Sequence, residues 1–86
     1  VSVGEAMRVI GRLEDSDTYR TRFEVLTHNL LSKYLVVRDG ALIGLGSMND
    51  PEAISYIEEA IKNEEVEESR EDMKQILEDL NTSAYE

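Results

Sequence analysis

The side chains able to do acid–base, nucleophilic or metal chemistry are few in this chain. His28 is the one histidine, and there is no cysteine. The lack of cysteine removes thiolate nucleophiles, thiolate metal sites and disulfides together. His28 sits in a helical stretch between an apolar stripe and the outer face. A lone helix histidine there reads as a boundary residue rather than a base. Carboxylates are plentiful, as in Glu58-Glu59 and in Glu67-Glu68 with Glu71-Asp72. Glu68 and Asp72 lie one turn apart on one helix face. Two carboxylates on an exposed face are a poor cage for a hard cation, which takes about six oxygen ligands. No H-E-x-x-H, C-x-x-C, Walker loop or nucleotide-binding glycine fingerprint occurs. Gly44-Leu45-Gly46 is too short for a phosphate loop and falls inside a helical pattern. The expectation is therefore a chain with no catalytic set, no metal and no cofactor: not an enzyme on its own.

Charge narrows the partners. The formal net charge is −10. Residues 1–40 carry six Lys/Arg and six Asp/Glu, whereas residues 41–86 carry three bases and thirteen acids. Nucleic acid and anionic membranes are disfavoured, because phosphate recognition needs clustered Lys and Arg. The acids are either a solvated face that aids solubility or a complement to a basic protein partner. The apolar runs are short and broken by charge, far from the ~20 residues needed to span a bilayer. With no signal-peptide pattern at the N-terminus, a cytoplasmic location is expected.

Eighty-six residues allow one domain, 1–86, with a modest core. Five helices can be drawn to carry it, and strand signals are scarce. The first spans about Val3 to Leu13. Ser2 and Glu5 form an S-x-x-E capping box, and Ala6, Met7, Ile10 and Leu13 make its apolar stripe. The second spans about Thr18 to Leu31, with Tyr19, Phe23, Leu26 and Leu30 inward. Ser32 offers a cap for the third, about Lys33 to Met48. There Tyr34, Val37, Ala41, Leu45 and Met48 line one face, and Val36, Gly40, Ile43 and Ser47 line a second. Two small or apolar faces place this helix at the centre, between neighbours. Gly40, Gly44 and Gly46 each cost helix propensity, ~1 kcal/mol against Ala, which close approach of another helix would offset.

The clearest punctuation is Asn49-Asp50-Pro51-Glu52. Asp50 is a strong N-cap, Pro51 suits the first helical position, and Glu52 favours the positive end of the dipole. The fourth helix then runs from about Pro51 to Lys62, with Ala53, Ile54, Ile57, Ala60 and Ile61 inward. Asn63-Glu64-Glu65 is a turn. The fifth runs from about Val66 to Leu80, with Val66, Met73, Ile76, Leu77 and Leu80 inward. Its other surface is almost wholly charged, as the last helix of a stack requires. Residues 81–86 read as a frayed tail. Glu58 with Lys62, and Lys74 with Glu78, are spaced for i,i+4 ion pairs.

The helices repeat. A shift of 32 residues places Arg38-Asp39 on Arg70-Glu71, Ala41 on Met73 and Leu45 on Leu77. A shift of 35 places Ala6 on Ala41, Ile10 on Leu45 and Gly11 on Gly46. The segment VVRDGALIGLGSMNDPEAISYIEEAIKNEEVEESREDMKQIL resembles HEAT-type repeats, where a V-R-x-x-A-x-x-x-L-G helix precedes a D-P-x-A-I-x-x-L helix. Val37-Arg38, Ala41, Leu45-Gly46, Asp50-Pro51, Ala53-Ile54 and Ile57 carry the match. The last helix departs from it, with Ser69-Arg70 in place of Val-Arg and Met73 at a small-residue position. Residues 33–80 hold nearly all of the resemblance, and the first two helices fit by pattern alone.

The resemblance implies an all-α fold, an α-α superhelix of HEAT-like antiparallel hairpins with about five helices. The first helix is then half of an incomplete hairpin, and its uncovered side implies a longer N-terminus or packing on another molecule, self-association included. Arg38 and Arg70 are implied to bridge successive repeats through acidic or carbonyl partners, with Asp50 and Pro51 as structural punctuation. The inner, concave face is implied to present parts of residues 5–12, 36–47 and 68–79. Tyr34, Val36, Ile43 and Tyr56 are the candidate partner-binding residues, tyrosine being enriched at binding hot spots; the alternative for Tyr34, Val36 and Ile43 is that they are core. The expected function is a non-catalytic protein-interaction or scaffold module. Two alternatives stay open. One is a subunit of a bilin lyase-like HEAT-repeat enzyme, since similar proteins include chromophore-attaching lyases. The other is a small acidic inhibitor or immunity-type protein that covers a basic surface.

Overall fold

The computed structural model describes residues 2–84 and is helical, with no strand among those residues. The helices are α1 (Val3–Arg12), α2 (Tyr19–Asn29), α3 (Leu35–Met48), α4 (Ile54–Asn63) and α5 (Glu67–Ala84). Short 3-10 turns, Ser16–Thr18 and Pro51–Ala53, lead into α2 and α4. α1 and α5 flank α3 in one layer, and α2 and α4 lie behind them. The Cα extents of 35 × 35 × 15 Å describe a slab, not a closed bundle.

Local chemistry sets the ends. Ser2 Oγ accepts the Glu5 amide at 3.1 Å and donates to the Glu5 carboxylate at 3.3 Å. Asp50 Oδ1 accepts the Glu52 amide at 2.9 Å, and Pro51 follows at the first position of the turn. Asn49 closes α3 in the left-handed region (φ 51°), which Asn tolerates better than most residues. Ser32 does not cap α3 directly. Its Oγ accepts the Tyr34 amide at 3.2 Å, and the helix starts two residues later than the sequence suggests.

The core is Met7, Phe23, Leu26, Leu30, Ala41, Leu42, Leu45, Ala53, Ile57, Ala60, Met73 and Leu80. α3 is central, as its two faces imply, and the glycines explain how. α1 lies on it almost backbone to backbone. A Cβ at Gly44 would sit 2.6 Å from the Met7 carbonyl oxygen, and one at Gly4 2.6 Å from that of Val36. Cβ atoms at Gly40 and Gly11 would run into the backbones of Gly4 and Gly44. Gly4, Met7 and Gly11 are therefore the buried line of α1.

Four expectations are corrected. Leu13 is 51% exposed, because it is the extended C-cap of α1 and leaves the helix before its stripe can reach the core. Val66 precedes α5 and is 37% exposed. The tail expected from Asn81 is helical through Ala84, since Asn81-Thr82-Ser83-Ala84 contains neither Gly nor Pro to stop it; residues 85–86 lie outside the described residues. The surface ion pairs also differ in register. Lys62 meets Glu59 and Lys74 meets Glu71, at i,i+3.

Candidate functional site

Three arginines organise the joints between helices. Arg22, Arg38 and Arg70 are each the fourth residue of their helix, in α2, α3 and α5. Each turns its guanidinium back onto carbonyls of the preceding turn. Arg38 donates to the Ser32 carbonyl at 3.0 Å, and Arg22 to the carbonyls of Ile10 (3.1 Å), Leu13 (2.8 Å) and Asp15. Arg70 grips the Glu64 carbonyl through Nε and Nη2, and pairs with Glu67 at 3.0 Å. A helix C-terminus leaves carbonyls without intrahelical partners, and a planar five-donor fork meets several of them at once. Arg22 was not singled out by its spacing, although it occupies the same fourth position that Arg38 and Arg70 do.

Arg38 also makes the one buried ion pair among the described residues. Its Nε and Nη2 meet the Glu64 carboxylate at 2.8 and 2.9 Å. The Glu64 side chain is 1% exposed and that of Arg38 17%. Burial alone pushes the Glu64 carboxyl up. The bonds from Arg38 and the Val66 amide, with the Arg38 charge and the Ser69 hydroxyl, outweigh it and hold the carboxyl below its ordinary range. A cavity of about 150 Å3 lies beside the pair, and among the described residues no buried side-chain polar atom is left without a partner. Arg38 thus spans from the turn before α3 to the turn before α5.

A second joint ties α2 to the Asn49–Pro51 turn. Tyr19 donates to Asp50 Oδ2, and Arg20 pairs with Glu52 at 2.9 Å. Asp50 therefore has two tasks, capping and holding Tyr19. Burial, then the Asp50 hydrogen bond and charge, push the Tyr19 phenol up to about 12. Its folded value lies above the ordinary 10, so its support for folding is complete below pH 10 and fades as the pH rises to about 12. An ultraviolet difference titration should show one of the four tyrosines ionising last, near pH 12. Asp50→Asn should bring that step down, and Tyr19→Phe should abolish it.

The candidate contact residues are all on the surface but not together. Tyr34, Val36, Ile43 and Tyr56 are 60%, 62%, 40% and 44% exposed. Tyr56 belongs to the α2–α4 layer, where its ring meets Phe23 edge-on at 5.9 Å. Tyr34 precedes α3 beside Lys33. Val36 and Ile43 lie two turns apart on α3, exposed and not in the core that was the alternative for them. α1 covers the Gly40–Gly44 side of α3, and α5 covers the Leu42–Gly46 side. The strip that carries Val36, Ile43 and Ser47 is left open between them.

Ile43 and Ser47 of that strip form part of the floor of a shallow trough shared by α1, α3 and α5. Arg8, Asp39, Leu42, Ile43, Asp72 and Ile76, with Gln75, surround a cavity of about 310 Å3. A second cavity of about 280 Å3 continues it past Ile43, Ser47 and Ile76 to Asp79 and Leu80. Apart from Asn49 and Leu80, the lining residues fall inside the three ranges implied for the concave face. Ile76 was expected to be wholly inward, yet half-buried it joins Ile43 in the trough. Among the described residues, no group of three or more His, Asp or Glu is placed to hold a metal ion. No described helix is long and apolar enough to cross a membrane.

The PBS lyase HEAT-like repeat family model matches residues 37–63, from the first turn of α3 to the end of α4. No curated protein and no solved structure matches the chain. The matched segment runs through α3, the Asp50–Pro51 turn and α4; α2 packs on α3 and α5 packs on α4. Over residues 37–63 the chain is similar to the PBS lyase HEAT-like repeat, and its described residues form an all-α, helical-hairpin fold.

Proposed function

We propose that the chain is a non-catalytic interaction module that docks another protein on the face shared by α1, α3 and α5. The observation that carries this reading is Ile43. A large apolar side chain stands 40% exposed in the trough, beside Ile76 and between charged rims, with exposed Val36 two turns away on the same helix. Exposed apolar groups ringed by polar ones mark contact surfaces. The ionisable groups nearby form no nucleophile–base pair of the kind a reaction needs.

The test compares the immobilised chain with Ile43→Glu in an extract of the native source. The wild-type chain should retain a protein that the variant loses, with unchanged circular dichroism and melting. Equal retention by both would contradict the reading. Tyr34→Ala and Tyr56→Ala serve as controls, since those side chains lie away from the trough.

The name of the matched repeat supports a second reading, a subunit of a bilin lyase-like enzyme. A change in a bilin's absorbance spectrum on adding the chain would favour it. The remaining alternative, a small acidic inhibitor or immunity-type protein on a basic partner, predicts retention that collapses at high salt.

A further inference from the structure

The two rims of the trough carry opposite charge. The α1 rim holds Arg8, with Arg12 one turn along. The α5 rim holds Asp72, Gln75 and Asp79, and α5 as a whole has six acids against two bases. Among the described residues Arg8, Arg12, Asp72 and Asp79 form no ion pair. The cations of one rim and the carboxylates of the other thus stand on either side of a floor formed by Leu42, Ile43 and Ile76, in which the one carboxylate, Asp39, accepts from Ser69, and the rim charges form no ion pair with one another.

Resting on the interaction reading, we infer that the partner is a protein presenting an amphipathic helix whose apolar stripe is flanked by acids on one side and bases on the other. The stripe lies along Val36, Ile43 and Ile76. The acidic flank faces Arg8 and Arg12, and the basic flank faces Asp72 and Asp79. Complementary charge sets specificity and register, and juxtaposed like charges cost several kcal/mol. An evenly basic helix would set its lysines against Arg8, and an evenly acidic one would set its glutamates against Asp72. The mixed flanks also fix direction. Turning a helix end for end with its stripe still down exchanges left for right, so only one orientation satisfies both rims.

The test uses three labelled synthetic helices with the same leucine stripe: flanks of Glu and Lys, of Lys alone, and of Glu alone. Fluorescence anisotropy at low salt should show the mixed helix binding the wild-type chain about tenfold more tightly than either other probe. Arg8→Glu should move the preference to the all-Lys helix, and Asp72→Lys with Asp79→Lys to the all-Glu helix. These exposed positions make no ion pair, so circular dichroism should not change. The inference is overturned if the all-Lys helix binds the wild-type chain as tightly as the mixed one. It is equally overturned if the order survives the charge reversals, or if no probe binds. None of those results touches Ile43-dependent capture of a native protein. Loss of that dependence, in turn, would sink the wider reading whatever the probes do.

Discussion

Replacing Arg38 by alanine will destabilise the fold by about 3–5 kcal/mol, the range for removing one partner of a buried ion pair. The reason is what stays behind. Glu64 is 1% exposed, and without Arg38 its carboxylate keeps only the Val66 amide at 3.2 Å and the Ser69 hydroxyl at 3.3 Å. The Ser32 carbonyl loses its donor as well. A domain of this size has a total stability of roughly 5–15 kcal/mol, so much of it is at stake. The effect should depend on pH with a definite sign. In the native protein the Glu64 carboxyl is held below its ordinary 4.5, so its contribution is full above that value and is lost as pH falls through the lower, folded value. In the variant the buried carboxylate has no cation, and protonation relieves it. The gap between wild type and Arg38→Ala in urea melts should therefore be widest near neutrality and shrink below pH 4.5. A gap that is small, or flat with pH, would mean that the pair is not a joint of the fold. The double change Arg38→Met with Glu64→Leu should recover most of the loss, since hydrophobic replacement of both partners is often neutral.

The second large effect concerns the seam between α1 and α3. Gly40→Ala should destabilise by about 2–3 kcal/mol, although alanine favours a helix by ~1 kcal/mol over glycine. Its Cβ would strike the backbone of Gly4, which cannot rotate away as a side chain does. Gly11→Ala should behave alike, because Gly44 stands opposite it. Gly46→Ala is the control. There the Cβ meets the Ile76 Cδ1 methyl at 3.0 Å, the far end of a flexible side chain, so the change should be neutral to within about 1 kcal/mol. Hydrogen exchange would locate the damage. In Gly40→Ala, amides of α1 should lose protection first, while those of α4 and α5 keep theirs. Uniform loss through all five helices would show that α1 is not a separable element.

The features legible in the sequence are those whose cause is local. Asp50-Pro51 and Ser2 cap where their side chains can reach an amide two or three residues on. The alternation of Phe23, Leu26 and Leu30 defines a core face because a helix repeats every 3.6 residues. Arg38 and Arg70 stood out through their 32-residue spacing; both donate to a carbonyl of the preceding turn, Arg38 also reaches Glu64, and Arg70 stays within its own turn. What stayed hidden depends on distant chain. Glu64 read only as part of a turn because its partner lies 26 residues away. Arg22 looked like one more charge on an amphipathic helix, since its four oxygen acceptors lie in the turn behind it. The glycines of α3 announced a close neighbour without saying which one. Only the packing shows that α1 takes Gly40 and Gly44 while Gly46 turns to α5. The same packing decides that Val36 and Ile43, apolar residues on the central helix, remain at the surface.

Photo-crosslinking from the trough tests the functional claim most directly. A photoreactive side chain placed at Ile43, and in a second protein at Tyr56, should be irradiated in extract of the native source. A discrete protein adduct should form from position 43 and not from position 56, and an excess of unlabelled chain should compete it away. An adduct formed from position 56 alone would put the contact on the α2–α4 side and contradict the account.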